Sequence, residues 1–501
     1  MNLLTLVGAL PLVGAALIYL IPTKDSELVK KFALLVTSLV AIAAIFLAVG
    51  FDKSITTLQY AQSYSWIPTF NINFALGIDG ISLVLILLST ILVPIVILAT
   101  WNESEGGRWS VKTFYVLILI LETMLVGVFA ASDLFLFYVF FEAMLIPVYF
   151  LIGGYGTGNR SAAAVKFLLY SLFGGLLMLV SVIGLYVIAG NQIGATFDLT
   201  QLATLEIDNQ TENFLFLGFF IAFAIKAPLW PFHTWLPDAA KSATPGTSVL
   251  LLGVLDKVGT YGMIRFCLAL FPDASKTFTP LIITLSVISI IYGAFMAIGQ
   301  KDIKGLIAFT SISHFGFITM GIFAMTSQGM SGANLYMVNH GFSTAALFLV
   351  AGWMMSRRNS STISDFGGLQ RVTPVMAWSF FIAGMSGLAL PGLSSFVSEF
   401  LVLVGTYTRY PVAAIIGTLG IVLAALYILI PIQKTLHGPI TEGNENMKDL
   451  NLREKISIAP VIAIIVVMGF YPKPVLDLIN PTSAKVVVDA GYSDPIAEVN
   501  K

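Results

Sequence analysis

Cysteine is almost absent: Cys267 is the only one in 501 residues. A lone thiol excludes an internal disulfide and leaves cysteine-ligated zinc or iron–sulfur chemistry without a ligand set. Histidine is nearly as scarce, at four residues, and charged residues make up only 11%. A soluble domain carries roughly one-quarter. The formal net charge of −1 offers no basic surface for nucleic acid. Gly153, Gly154, Gly156 and Gly158 follow no strand and precede no phosphate-binding helix, so they do not form a nucleotide loop.

What the chain has in abundance is apolar surface, with 57% hydrophobic residues and a mean hydropathy of +0.90. The pattern is that of an all-α polytopic membrane protein. Nearly all of the length divides into about fourteen apolar stretches, each close to the ~20 residues that cross about 30 Å of hydrocarbon. No room remains for a separate soluble domain. Met1 to Pro22 has no basic n-region and no small-residue cleavage pattern, so it reads as the first transmembrane helix and not as a signal peptide. Further along, the fifth span covers residues 134–153, the eighth 246–271, the tenth 303–325, the eleventh 332–355 and the fourteenth 456–471. Lysine and arginine gather in the loops after odd-numbered spans, among them Lys24, Lys30, Arg108, Lys301, Lys304, Arg357 and Lys434. Loops after even spans carry only Lys53, Lys276 and Arg409. The positive-inside rule then puts the odd-span loops in the cytoplasm and both termini outside.

Two spans look interrupted. The seventh, residues 212–231 with an extension to 240, holds Pro228, Pro231 and Pro237; the twelfth, 374–405, holds a Gly/Pro/Ser break from Gly387 to Ser395. Spans four to eight and nine to thirteen thus form two five-helix sets with a break at the fourth helix of each, the sequence pointer to an inverted repeat with an ion site between its halves. The expected divisions are residues 1–111 for helices one to three, 112–271 and 272–434 for the two repeats, and 435–501 for helix fourteen and an outer C-terminal tail.

Ionisable groups lie inside these spans. Lys226 ends the apolar part of span seven immediately before the prolines, and an ammonium group in hydrocarbon costs several kcal/mol, so it marks a function by default. Glu142 lies about 12 Å and Lys257 roughly 16 Å into their spans, both near mid-membrane, and His314 and His340 fall within about 12–17 Å of their helix starts. Glu399 follows the break in span twelve. Desolvation disfavours either charged form while a nearby opposite charge restores it, so a Glu–Lys pair that opens and closes can tune a lysine across the physiological range. Histidine titrates near pH 6.5 and suits a proton relay. Plainer readings stand beside this one. A Glu–Lys pair can merely lock helices, and His340 can be a core residue hydrogen-bonded to a neighbouring helix. Lys166 and Arg265 lie near enough to helix ends to snorkel, Glu122 has no firm role, and Asp79 reads as an N-cap.

Three segments carry a resemblance to a known family. Phe140-Phe141-Glu142-Ala143-Met144-Leu145-Ile146-Pro147, the run from Lys226 through Pro228, Trp230, Pro231, His233 and Trp235 to Ala239, and Leu390-Pro391-Gly392 through Glu399-Phe400 resemble the antiporter-like subunits of respiratory complex I, NADH:quinone oxidoreductase. Within that family the chain M branch, the counterpart of mitochondrial subunit 4, is favoured, because sister subunits usually carry lysine where Glu399 stands. The resemblance spans essentially the whole chain. It implies a fourteen-helix fold with two inverted repeats and a proton-translocating membrane-arm subunit driven by electron transfer elsewhere. Residue by residue, Glu142 becomes the partner that tunes Lys226, the central proton holder; Lys257 the next station; His314 and His340 relays between the halves; Glu399 the terminal acid; and His233 a group lining the entry. It implies no cofactor in this chain, with NADH, FMN, iron–sulfur clusters and quinone in other subunits. It also implies two antiporter-like neighbours in a bacterial cytoplasmic or other energy-transducing membrane. A subunit of an Mrp-type cation/proton antiporter or a membrane-bound hydrogenase is the alternative.

Overall fold

The computed structural model describes residues 2–22 and 25–495; Lys24 of the orientation argument and the tail's final residue, Lys501, lie outside them. In chain order the main elements are α1 (Leu3–Ile18), α2 (Ser26–Val49), β1 (Gln59–Ile67), β2 (Ile72–Ile78), α3 (Gly80–Ala99) and α4 (Val111–Ala130). They continue with α5 (Leu134–Tyr155), α6 (Arg160–Gln192), α7 (Asn209–Lys226), α8 (Trp235–Ser242), α9 (Pro245–Leu268) and α10 (Pro272–Ile298). The rest are α11 (Ile303–Phe323), α12 (Ser327–Arg358), α13 (Pro374–Gly387), α14 (Ser394–Tyr407), α15 (Pro411–Leu436), α16 (Leu452–Phe470) and α17 (Lys473–Asp489). Among the described residues, 10 helices are long and apolar enough to cross a membrane, or 11 if α16 and α17, bent by 67° at their junction, are taken as one.

Composition decides which helices lie inside. The least apolar of the spanning helices, α9, α11 and α12, are wholly enclosed by the others, whereas the more apolar α2, α6 and α15 are mostly open to the surroundings. A helix that carries Asp, Lys, His and Asn cannot face lipid cheaply, so it is sorted to the centre. The three enclosed helices therefore form the core that positions the buried charges.

Both expected interruptions are present, with one boundary corrected. Helix α7 ends at Lys226 and not at residue 231, because Pro228 has no N–H to give the carbonyl of Ala224. Leu229 N–H takes that carbonyl at 2.9 Å, and the Trp235 indole takes the Ile225 carbonyl at 2.8 Å. The second break runs between α13 and α14, with Ala389 at φ 60° and Gly392 at φ 91° turning the chain. Gly392 also lies against Gly469 of α16, where a Cβ would meet its carbonyl oxygen at 2.2 Å.

Between α2 and α3 the chain forms an antiparallel hairpin of β1 and β2, with Tyr64 opposite Phe74. Asp133 fastens it: its carboxylate accepts Asn73 N–H at 3.0 Å and caps α5 through Phe135 and Leu136 N–H. The tail beyond Tyr471 is a further helix, α17, held to α12 by the Asn334 side chain donating to Ser483 at 2.9 Å. Gly80 allows α17 to close on α3, since a Cβ there would lie 1.8 Å from the Leu478 carbonyl oxygen. Gly80→Ala should therefore push α17 off, at the roughly 1–3 kcal/mol that overpacking costs. Limited proteolysis in native membranes checks this, with earlier cleavage beyond Tyr471 expected in the variant than in wild type.

Candidate functional site: a buried row of charges

The first group of charges lies around the break after α7. Lys226 is 1% exposed and its Nζ has no hydrogen-bond partner among the described residues. It sits 4.8 Å from the ring centre of Phe141 and 5.7 Å from that of Phe167. Glu142 is in the turn of α5 just before Met144, where Pro147 interrupts the helix. Its carboxylate lies in the groove left by Gly175 of α6, where a Cβ would meet Oε1 at 1.7 Å. Glu142 and Lys226 feel each other's charge, but no salt bridge joins them and Glu142 Oε1 also has no hydrogen-bond partner among the described residues. A buried acid and a buried base held in range but out of contact can change separation without first breaking a bond.

The second group is continuous. Lys257 Nζ donates to the Leu252 carbonyl at 2.5 Å, pairs with Asp256 at 2.9 Å and meets His340 Nδ1 at 2.7 Å. The Leu252 carbonyl is within reach because residues Leu251–Leu255 form a π-helical turn, a widening common at functional sites. On its far side His340 Nε2 is bonded to Ser311 at 3.0 Å. The rings of His340 and His314 are 5.3 Å apart, His314 Nε2 meets the Tyr427 hydroxyl at 3.2 Å, and the Tyr336 hydroxyl donates to Glu399 at 3.2 Å. Just before and about one turn after His340, Asn339 and Ser343 satisfy the second break: Asn339 donates to the Ser394 carbonyl at 2.7 Å and Ser343 bonds Ser386 and Ser395. That assigns Ser394 and Ser395 the task of tying α14 to α12.

The two groups approach where α9 crosses the first break. A Cβ on Gly259 would lie 2.5 Å from Ala227 N, which brings α9, two residues from Lys257, directly against the residue after Lys226. His233 is buried in the break with its ring 4.9 Å from that of Tyr292, and it bonds to none of the other charges. Glu122 is wholly buried in α4 without a partner among the described residues. Lys166 pairs with Asp238 at 2.7 Å on the surface. Asp79 does cap α3, accepting Ser82 N–H at 2.9 Å. Arg265 does not snorkel freely, since it pairs with Asp79 at 2.8 Å. Where α9 begins, the carboxylate of Glu103, in the connection before α4, accepts Gly246 N–H at 2.9 Å, and burial pushes it up to about 7.

Sequence reasoning missed Asp256, Tyr336 and Tyr427. Asp256 had a readable signal, an acid adjacent to Lys257 inside an apolar run. The tyrosines had none, because tyrosine in a span is ordinary and only the fold aims their hydroxyls at His314 and Glu399. Among the described residues no His/Cys/Asp/Glu cluster could hold a metal ion.

Broken helices around an enclosed row of lysine, histidine and glutamate define an antiporter-like membrane protein. Residues 15–128 match the family described as NADH-ubiquinone oxidoreductase chain 4, amino terminus, and residues 131–424 match NADH:quinone oxidoreductase/Mrp antiporter, TM. The chain is 49% identical to NADH-quinone oxidoreductase subunit M of Mycobacterium tuberculosis H37Rv, over 99% of this chain and 96% of that protein. It superposes on a chain of respiratory complex I from Thermus thermophilus with a TM-score of 0.89 and 31% identity, covering 98% of this chain and all of that one. A chain of the Mrp complex from Dietzia sp. DQ12-45-1b, at 20% identity, shares the fold with a TM-score of 0.86 over 97% of this chain and 98% of that one. This chain belongs to the subunit M/chain 4 family of NADH:quinone oxidoreductase, the antiporter-like membrane subunits of complex I.

The enclosed Asp256–Lys257 pair yields a test. Removing one partner of a buried pair leaves an uncompensated charge at about 3–5 kcal/mol, while replacing both is often near neutral. Asp256→Asn should therefore lower the amount of assembled complex on native gels, and Asp256→Asn with Lys257→Met should restore much of it. Equal loss in the single and double variants would count against a paired Lys257.

Proposed function

We propose that this chain is a proton-translocating subunit of the membrane arm, driven by electron transfer from NADH to quinone in other subunits that hold the FMN and iron–sulfur clusters. The observation that carries the reading is the enclosed chain of contacts from Lys257 through His340 and Ser311, next to His314, Tyr427, Tyr336 and Glu399. Such a row costs stability to bury, and its hydrogen-bonded pairs meet through ring contacts of His314 with His340 at 5.3 Å and with Tyr336 at 5.7 Å. In this reading Lys226 holds a proton while the charge of Glu142 is near and releases it when that charge is withdrawn. The proton passes to Lys257, crosses by His340 and His314, and leaves by Glu399. His233 lines the entry.

The architecture that goes with it has fourteen crossings, counting each broken helix once. Residues 1–111 precede two inverted five-helix repeats, 112–271 and 272–434, and 435–501 close the chain. Both termini face outward from a bacterial cytoplasmic membrane, and lysine-rich loops face the cytoplasm. Two antiporter-like subunits flank the chain. The shared fold of the Mrp chain keeps the cation/proton antiporter as the second reading, and the two differ in which subunits co-purify.

Lys226→Ala should abolish most proton pumping, because the other ionisable group of α7, Glu212, lies 14 residues away at its opposite end, about 21 Å along the axis. The proton-to-electron ratio of the reconstituted complex measures it. A wild-type ratio in the assembled variant would contradict the assignment.

A further inference from the structure

Helix α9 carries a further charge, partly exposed, on the hairpin side of Lys257. Arg265 lies eight residues on, about 12 Å along the axis at 1.5 Å per residue. Its guanidinium pairs with Asp79 Oδ2 at 2.8 Å, and the Asp79 side chain is 2% exposed. Asp79 Oδ1 accepts Ser82 N–H at 2.9 Å, so both carboxylate oxygens are engaged. Beyond the pair opens a cavity of about 720 Å³, lined by Asp79 and Arg265 together with Gln62 of the hairpin, Asp198 and Lys485 of α17. Between Lys257 and Arg265 the helix presents Thr260 and Tyr261, whose hydroxyl meets Ser82 Oγ at 3.1 Å and donates to the Phe129 carbonyl at 3.0 Å. The Arg265 guanidinium lies 5.8 Å from the Tyr261 ring centre.

A buried lysine, two hydroxyls and an open cavity edged by Asp79, Asp198 and Lys485 lie in sequence along one helix, the order of groups that a route for protons back toward Lys257 would need. The group at the junction cannot pass them on. A guanidinium keeps its proton throughout the physiological range, so a relay that reaches it stops, and a fixed arginine at a constriction is a known device for excluding protons. We propose that the Arg265–Asp79 pair is a proton barrier between this cavity and Lys257. The inner end of the barrier rests on the reading of Lys257 as a proton-holding group. Arg265 is a positioning residue here, held by Asp79 and touching no transferred proton.

The test is passive proton uptake by proteoliposomes containing the assembled complex, driven by a potassium–valinomycin potential with neither NADH nor quinone present. Arg265→Gln should raise uptake severalfold, and Arg265→Gln combined with Asp256→Asn and Lys257→Met, which removes both members of the enclosed pair together, should bring it back to the wild-type level. Uptake that rises but ignores the two added changes would support the barrier and overturn Lys257 as its inner end. Uptake at the wild-type level in Arg265→Gln would overturn the barrier and leave the Lys226 pumping result untouched. If Arg265→Gln does not assemble, Arg265→Lys carries the test. Lysine can release its proton, so that variant should hold at neutral pH and leak increasingly as pH rises, whereas a leak that stays flat and equal to wild type would overturn the proposal.

Discussion

Everything in this fold follows from the need to keep ammonium and carboxylate groups at membrane depth without exposing them to lipid. Lys226 is the extreme case, a helix-ending lysine with no hydrogen-bond partner among the described residues and only the faces of Phe141 and Phe167 beside it. Such a group is tolerable only where surrounding helices enclose it and an opposite charge is in range. Glu142 supplies the charge, and α6 makes room for it by carrying glycine at position 175. The enclosure of α9, α11 and α12 extends the same logic to Lys257, His314 and His340.

The two groups of charges solve burial differently. Around Lys226 the charges are separated and the backbone is broken, so the group is poised and loosely held. Around Lys257 every polar atom of the lysine is engaged, by Asp256, the Leu252 carbonyl and His340. The second break is likewise tied down, by Asn339 and Ser343 on either side of the histidine. A change at the Lys226 group thus has a hydrogen-bonded structure around Lys257 to act upon.

Much of this was legible in the sequence, for stated physical reasons. Prolines after Lys226 and the Gly387–Ser395 run announce broken helices because backbone donors and helical φ are lost there, and both breaks occur. Rise per residue alone gave Glu142 and Lys257 an expected depth near mid-membrane. What could not be read depends on contacts between distant segments. Asp133 organises the hairpin through Asn73, α17 docks by way of Gly80, and Arg265 finds Asp79 across 186 positions of chain. No local pattern encodes those meetings, and the aim of Tyr336 and Tyr427 belongs with them. Asp256 is different, because an acid adjacent to Lys257 inside an apolar run is a local pattern.

The central claim is that protons cross between the halves at His340, whose side chain is bonded to both Lys257 and Ser311 and lies edge-on against His314. The most direct measurement is the proton-to-electron ratio of the reconstituted complex carrying His340→Phe, which keeps a ring of similar shape and removes both nitrogens. The account predicts a lowered ratio with the complex assembled and electron transfer to quinone still detectable. A wild-type ratio would show that no proton needs His340, and the row of charges would then be scaffolding.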